Sequence, residues 1–158
     1  MSKSTPKRSI THGSFTIERV FPGATPARVF EAFASPDVKA RWFHGPDEWA
    51  QTAPTMEFRP GGRETRGGGA PGGVQHRFNC QYYDIVDGER IVYAYEMHLG
   101  DVRISVSLAT IELAPVAGGG TQLTMTEHGA FLDGYDDAGS RERGTHGLLD
   151  GLGAFLGR

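Results

Sequence analysis

From Phe15 to Phe21 apolar and polar positions alternate (Phe-Thr-Ile-Glu-Arg-Val-Phe), the period of a strand with one face in a core. Pro22-Gly23 ends the run. Thr25-Pro26 then offers a helix N-cap followed by proline at the first helical position, and Val29, Phe30 and Phe33 give that helix one apolar face. Ser35-Pro36 repeats the cap-and-proline signal for a second short helix. This helix runs into Trp42-Phe43-His44 and an aromatic loop that ends near Trp49.

Beyond the loop the period stays close to two. Short strands are predicted over 55–59 and 63–66, and a longer aromatic one over 74–86, closed by the hairpin signal Asp87-Gly88. Residues 90–99 place Ile91, Tyr93, Tyr95 and Met97 on one face and Glu96 and His98 on the other. After Gly100-Asp101, the next strand begins with Ile104, Val106 and Leu108 in alternation, which turns Ser105 and Ser107 outward. The phase then shifts to Ile111 and Leu113, predicting a bulge near Ala109-Thr110. Residues 122–128 set Leu123, Met125 and Glu127 on one face, with Thr124, Thr126 and His128 opposite. Hairpin-linked strands in this order read as an antiparallel meander. From about Ala138 the period becomes helical, with Thr145, Leu148, Leu149, Leu152, Phe155 and Leu156 on one stripe. Gly144, Gly147, Gly151 and Gly153 weaken that helix by up to about 1 kcal/mol each, so it depends on packing against the sheet.

The 158 residues suit one domain, expected over 14–158 after a disordered tail at 1–13. A net charge of −3 gives no global attraction to nucleic acid. One cysteine, Cys80, rules out an internal disulfide and a cysteine-based zinc cluster. With neither a membrane-length apolar run nor a secretory h-region, the expected location is cytoplasmic. Gly is abundant, at 23 residues. The segment 61–73 (GGRETRGGGAPGG) lacks the Gly-Lys-Ser/Thr ending of a phosphate loop and has no apolar helix after it. It reads instead as a flexible hairpin connection able to cover a cavity mouth.

Phe21-Pro22-Gly23-Ala24-Thr25-Pro26-Ala27-Arg28-Val29-Phe30, Ala40-Arg41-Trp42-Phe43, Phe58-Arg59-Pro60-Gly61-Gly62-Arg63, Thr126-Glu127-His128-Gly129-Ala130-Phe131 and the terminal Gly-Leu-Leu-Asp-Gly-Leu helix together resemble the START-like (SRPBCC) superfamily. The branch is that of bacterial proteins similar to the C-terminal domain of the heat-shock-protein-90 ATPase activator, grouped with polyketide cyclase-like proteins. The resemblance covers roughly residues 14–157. It implies an α+β helix-grip fold, a curved antiparallel sheet wrapped around a long C-terminal helix, with a hydrophobic cavity between them and two short helices after the first strand. The superfamily includes lipid carriers, hormone receptors, cyclases and co-chaperones, so the fold leaves the reaction open.

Within that frame the expected cavity residues are Trp42, Phe43, Phe58, Phe78, Cys80, Tyr82, Tyr93, Tyr95, Met97, Met125, Phe131, Leu149 and Leu152, a set suited to an apolar or aromatic ligand. Glu127 shares parity with Leu123 and Met125, and a carboxylate there must be paired, hydrogen-bonded or partly protonated. It reads as a general base or ligand-orienting acceptor, or else as a structural ion pair with Arg63 or Arg77. His146, at the edge of the helical stripe, is a candidate acid/base partner for it. The six histidines form no metal signature, and no cofactor is expected. Asp133, Asp136 and Asp137 lack the spacing of a calcium loop and suit the cap of the last helix. The primary expectation is binding of a small hydrophobic molecule. The alternatives are a cyclase, dehydrase or hydrolase using Glu127, and a modulator of a chaperone ATPase. A homodimer is compatible with edge strands or exposed aromatics around Trp49. Neither nucleic acid nor membrane insertion is expected.

Overall fold

The computed structural model describes residues 7–157. The chain runs β1 (Ile10–Phe21), α1 (Pro26–Ala34), α2 (Pro36–Lys39), β2 (Ala50–Gln51), β3 (Thr55–Met56), β4 (Arg63–Gly69), β5 (His76–Val86), β6 (Arg90–Leu99), β7 (Val102–Pro115), β8 (Thr121–Leu132) and α3 (Ala138–Leu156). All strands join one antiparallel sheet in the order β1-β8-β7-β6-β5-β4-β2, with β3 also on β4. This is the α+β helix-grip arrangement, with α1, α2 and α3 supplying the helical layer. Thr25 and Ser35 cap α1 and α2 through their hydroxyls, each with proline in the first turn. Asp137 caps α3, accepting from the Ser140 amide at 2.8 Å.

Helix α3 runs alongside β1 and comes close to it at two glycines. A Cβ on Gly13 would lie 2.5 Å from that of Ala138, and one on Gly153 would meet the Phe21 ring at 3.5 Å. Thr145, Leu149, Leu152 and Leu156 form the buried stripe of the helix. Helix α1 fills the other half of the inner face, where Phe30 packs edge-on against Phe58 and Phe58 against Tyr82. The Thr121 hydroxyl ties β8 to the turn before α1, donating to the Ala24 carbonyl at 2.7 Å.

Four expectations change. Pairing of β1 extends back to Ile10 opposite Leu132, so residues 10–13 of the tail expected over 1–13 are strand; residues 1–6 lie outside the described residues. The strand expected over 55–59 contracts to Thr55–Met56, because the chain turns at Pro60-Gly61 and the Gly62 backbone is pressed against Glu57. The segment 61–73 is not a loose connection: Gly67 and Gly68 pair with β5, and Gly68 and Gly69 with β2, leaving only a tight turn after them. In β7 the inward row is Ser105, Ser107, Ala109, Ile111 and Leu113 in one unbroken phase, while Val106 and Leu108 are exposed. The only register shift on that hairpin is at Met97/His98. Of the two serines, Ser105 meets a polar group there, accepting from Arg141 at 2.7 Å.

Asp137→Ala removes the side-chain N-cap of a glycine-weakened helix. It is expected to cost about 1 kcal/mol, read as a lower denaturant midpoint at unchanged slope.

Candidate functional site

Where α1 ends, the inner face of the sheet is not filled. A chamber of about 550 Å³ lies between that face, α3 and the loop after α2, within the range of small-molecule sites. Phe78, Tyr93, Tyr95, Met97 and Met125 form its floor, and Thr145, Leu148 and Leu149 line it from α3. Phe33, Trp42, Phe43, His44 and Trp49 close the third side. The rings hold one another in place: Trp42 packs edge-on against Phe33 and Phe43, Phe43 against Phe78, and Phe78 tilts over Tyr95. The Trp42 indole N–H donates to the Ala32 carbonyl at 2.9 Å, which satisfies its polar atom and fixes its ring. Gly144, Gly147 and Gly151 also border the chamber, and a Cβ on either of the first two would project into open space. Trp49 stacks on His76 at 4.6 Å rather than standing as an exposed aromatic ring.

Gln51, Arg66 and His76 border the chamber from β2, β4 and β5, and Glu127 borders it from β8. Glu127 is 1 % exposed. Its Oε2 accepts from the Tyr95 hydroxyl at 2.8 Å and lies 3.9 Å from Arg141. Arg141 donates to the Tyr95 oxygen at 3.0 Å, to Ser105 at 2.7 Å and to Asp136 at 3.0 Å. Glu127 Oε1 is buried without a partner, and so is the Ser107 hydroxyl. Ser107 nevertheless favours the ionised carboxylate. Burial pushes the Glu127 pKa above its ordinary value, against the pull of Tyr95, Arg141 and Ser107. Burial likewise raises Tyr95, which therefore acts as a neutral donor.

A second buried cluster lies beside the chamber. Lys39 donates to Glu64 at 2.9 Å, and Tyr82 and Arg66 also donate to that carboxylate. Glu64 is fully buried, and burial alone would raise its pKa. Lys39, Tyr82 and Arg66 together outweigh burial and hold it low. Burial lowers Lys39, partly offset by Glu64, and its ammonium sits 4.5 Å above the Phe43 ring. The cluster braces the aromatic loop against β4 and β5.

Of the residues expected in the cavity, Trp42, Phe43, Phe78, Tyr93, Tyr95, Met97, Met125 and Leu149 line it. Phe58, Cys80, Tyr82, Phe131 and Leu152 do not. Phe58 and Leu152 belong to the packed half under α1 and α3, Tyr82 is bound to Glu64, and Phe131 lies beneath the Arg141 guanidinium. Cys80 is buried beside Lys39 and Glu64, and burial pushes its thiol up to about 12, so it is not a nucleophile. Glu127 is paired with Tyr95 and Arg141, not with Arg63 or Arg77. His146 is not brought to Glu127; its ring meets Arg19 at 3.0 Å and Glu142 at 3.7 Å, at a part-exposed position. Arg141 and Lys39 were not anticipated. Arg141 stands four residues before Thr145, on the stripe itself, and that spacing was its one signal.

The family model described as Activator of Hsp90 ATPase homolog 1-like protein matches residues 23–157. A solved protein from Rhizobium leguminosarum shares 43% identity over 96% of this chain and 99% of its own, with a TM-score of 0.88. The Mll3558 protein of Rhizobium loti shares 44% identity over 93% of this chain and 99% of its own, at 0.84. Protein CV1439 of Chromobacterium violaceum shares 27% over 90% of this chain and 96% of its own, at 0.74. No curated protein matches the chain significantly.

Two sets of variants separate core from chamber and one carboxylate from the other. Leu152→Ala should cost about 2–5 kcal/mol, whereas Leu148→Ala, on the chamber wall, should cost about 1 kcal/mol or less; equilibrium denaturation reads both. Glu127 has a raised pKa, so its contribution is fully present below 4.5 and lost as pH rises through the folded value. Glu127→Gln should therefore gain stability relative to the native protein as pH rises from below 4.5. Glu64 has a depressed pKa, so its contribution is present above 4.5 and lost as pH falls through the folded value. Glu64→Gln should therefore lose stability relative to the native protein as pH rises through that acidic window. Slopes of the same sign would contradict this account of the two sites.

Proposed function

The chain belongs to the activator of Hsp90 ATPase homolog 1-like family, and from that premise and the chamber we propose that it binds a small, ring-bearing apolar molecule between α3 and the sheet. The observation that carries the reading is an apolar chamber with Glu127 in its wall, a carboxylate that keeps one buried oxygen unpaired. Such an oxygen costs roughly 1–3 kcal/mol when nothing bonds to it, and an occupant of the chamber would bond to it. Gly144 and Gly147 support the same reading. Each weakens α3 by about 1 kcal/mol relative to alanine, and each leaves space that a side chain would fill. Activation of the Hsp90 ATPase is the property for which the family is named; for this chain the chamber carries the reading. Catalysis by a Glu127–His146 pair is the weaker alternative, because His146 is held by Arg19 and Glu142.

The test is a fluorescence titration with N-phenylnaphthylamine, an apolar dye that brightens when buried. The native protein should show saturable binding. Gly147→Trp should abolish it while the melting temperature stays level or rises, since the helix loses a glycine. Undiminished binding to the folded variant would remove the chamber as the site.

A further inference from the structure

The polar end of the chamber also restricts the chemistry of its occupant, given that the chamber is the binding site. The arginines and lysine near it are already paired. Arg141 is bound to Asp136, Ser105 and Tyr95, and Arg66 and Lys39 are bound to Glu64. The Tyr95 hydroxyl gives its single proton to Glu127 and accepts from Arg141. What remains unsatisfied is Glu127 Oε1, with the Ser107 hydroxyl near it. With both carboxylates ionised, Glu127, Asp136 and Arg141 sum to one negative charge, and the vacant position is that of a donor.

We infer that the chamber selects an apolar, ring-bearing ligand whose polar end is a hydrogen-bond donor, a hydroxyl or a protonated amine, directed at Glu127 Oε1, and that it rejects carboxylates and other anions. An anionic head would stand beside a carboxylate with the nearby arginines and lysine already paired, and like charges at short range repel. A donor head satisfies the orphaned oxygen, and hydrogen bonds to a charged group are the stronger kind. An ammonium head also balances the local charge.

Four matched probes decide the matter by calorimetry or dye displacement in slightly alkaline buffer: naphthylmethanol, naphthylmethylamine, the methyl ether of the alcohol, and naphthoate. The alcohol and the amine should bind at least about tenfold tighter than the ether, the value of one hydrogen bond to a charged acceptor. Naphthoate should bind weakest. Whichever of alcohol and amine leads identifies the head as neutral or cationic. Glu127→Gln should cost the amine about tenfold or more and leave the ether unchanged, its fold being checked by its melting curve. Ether equal to alcohol, or naphthoate equal to or above either donor, overturns the donor rule while leaving the chamber as the site. Failure of all four probes to bind overturns both.

Discussion

Taking a carboxylate out of water costs several kcal/mol unless cations or donors replace the water, and the inner face of this sheet buries two. Glu64 receives three donors, two of them cationic, and is held ionised as a strut between α2, β4 and β5. Glu127 receives one hydroxyl and a more distant guanidinium, and keeps one oxygen bare. The first arrangement is complete without an occupant. The second is not, and its incomplete side belongs to a residue of the chamber wall. This difference in satisfaction separates a structural carboxylate from a recognition group.

The chamber exists because the helical layer covers the sheet unevenly. Helix α1 inserts Phe30 against Phe58 and fills one half of the inner face. Over the other half, α3 approaches β1 closely at Gly13 and Gly153 but shows the remaining strands a face broken by Gly144, Gly147 and Gly151. Interiors tolerate few voids larger than a water molecule. A space of about 550 Å³ held open by mutually packed rings and a buried ion cluster is therefore a feature of the architecture, not loose packing.

Strand parity was legible in the sequence; depth along a strand was not. Alternation, Asp87-Gly88 and the two proline-capped helices gave the element order, and parity put Tyr93, Tyr95, Met125 and Glu127 inward, as found. Parity alone could not tell Tyr82 and Cys80, under α1 and the ion cluster, from Phe78 beside the chamber on the same strand. In β7 the greater hydrophobicity of Val106 and Leu108 masked the unbroken odd row from Ser105 to Leu113, whose serines face Arg141 and Glu127. Lys39 was invisible because a lysine in a short surface-like helix gives no sign of a carboxylate 25 residues away that draws it inside.

The most direct measurement is an isotope-edited carboxyl NMR titration of Glu127, its signal assigned by its absence in Glu127→Gln, with and without naphthylmethylamine. In the unliganded protein the midpoint should lie above the ordinary 4.5. With the amine bound, the midpoint should fall, because a cationic donor on Oε1 favours the ionised form. A midpoint unmoved by saturating amine would contradict the claim that this oxygen is where the ligand's polar end is recognised.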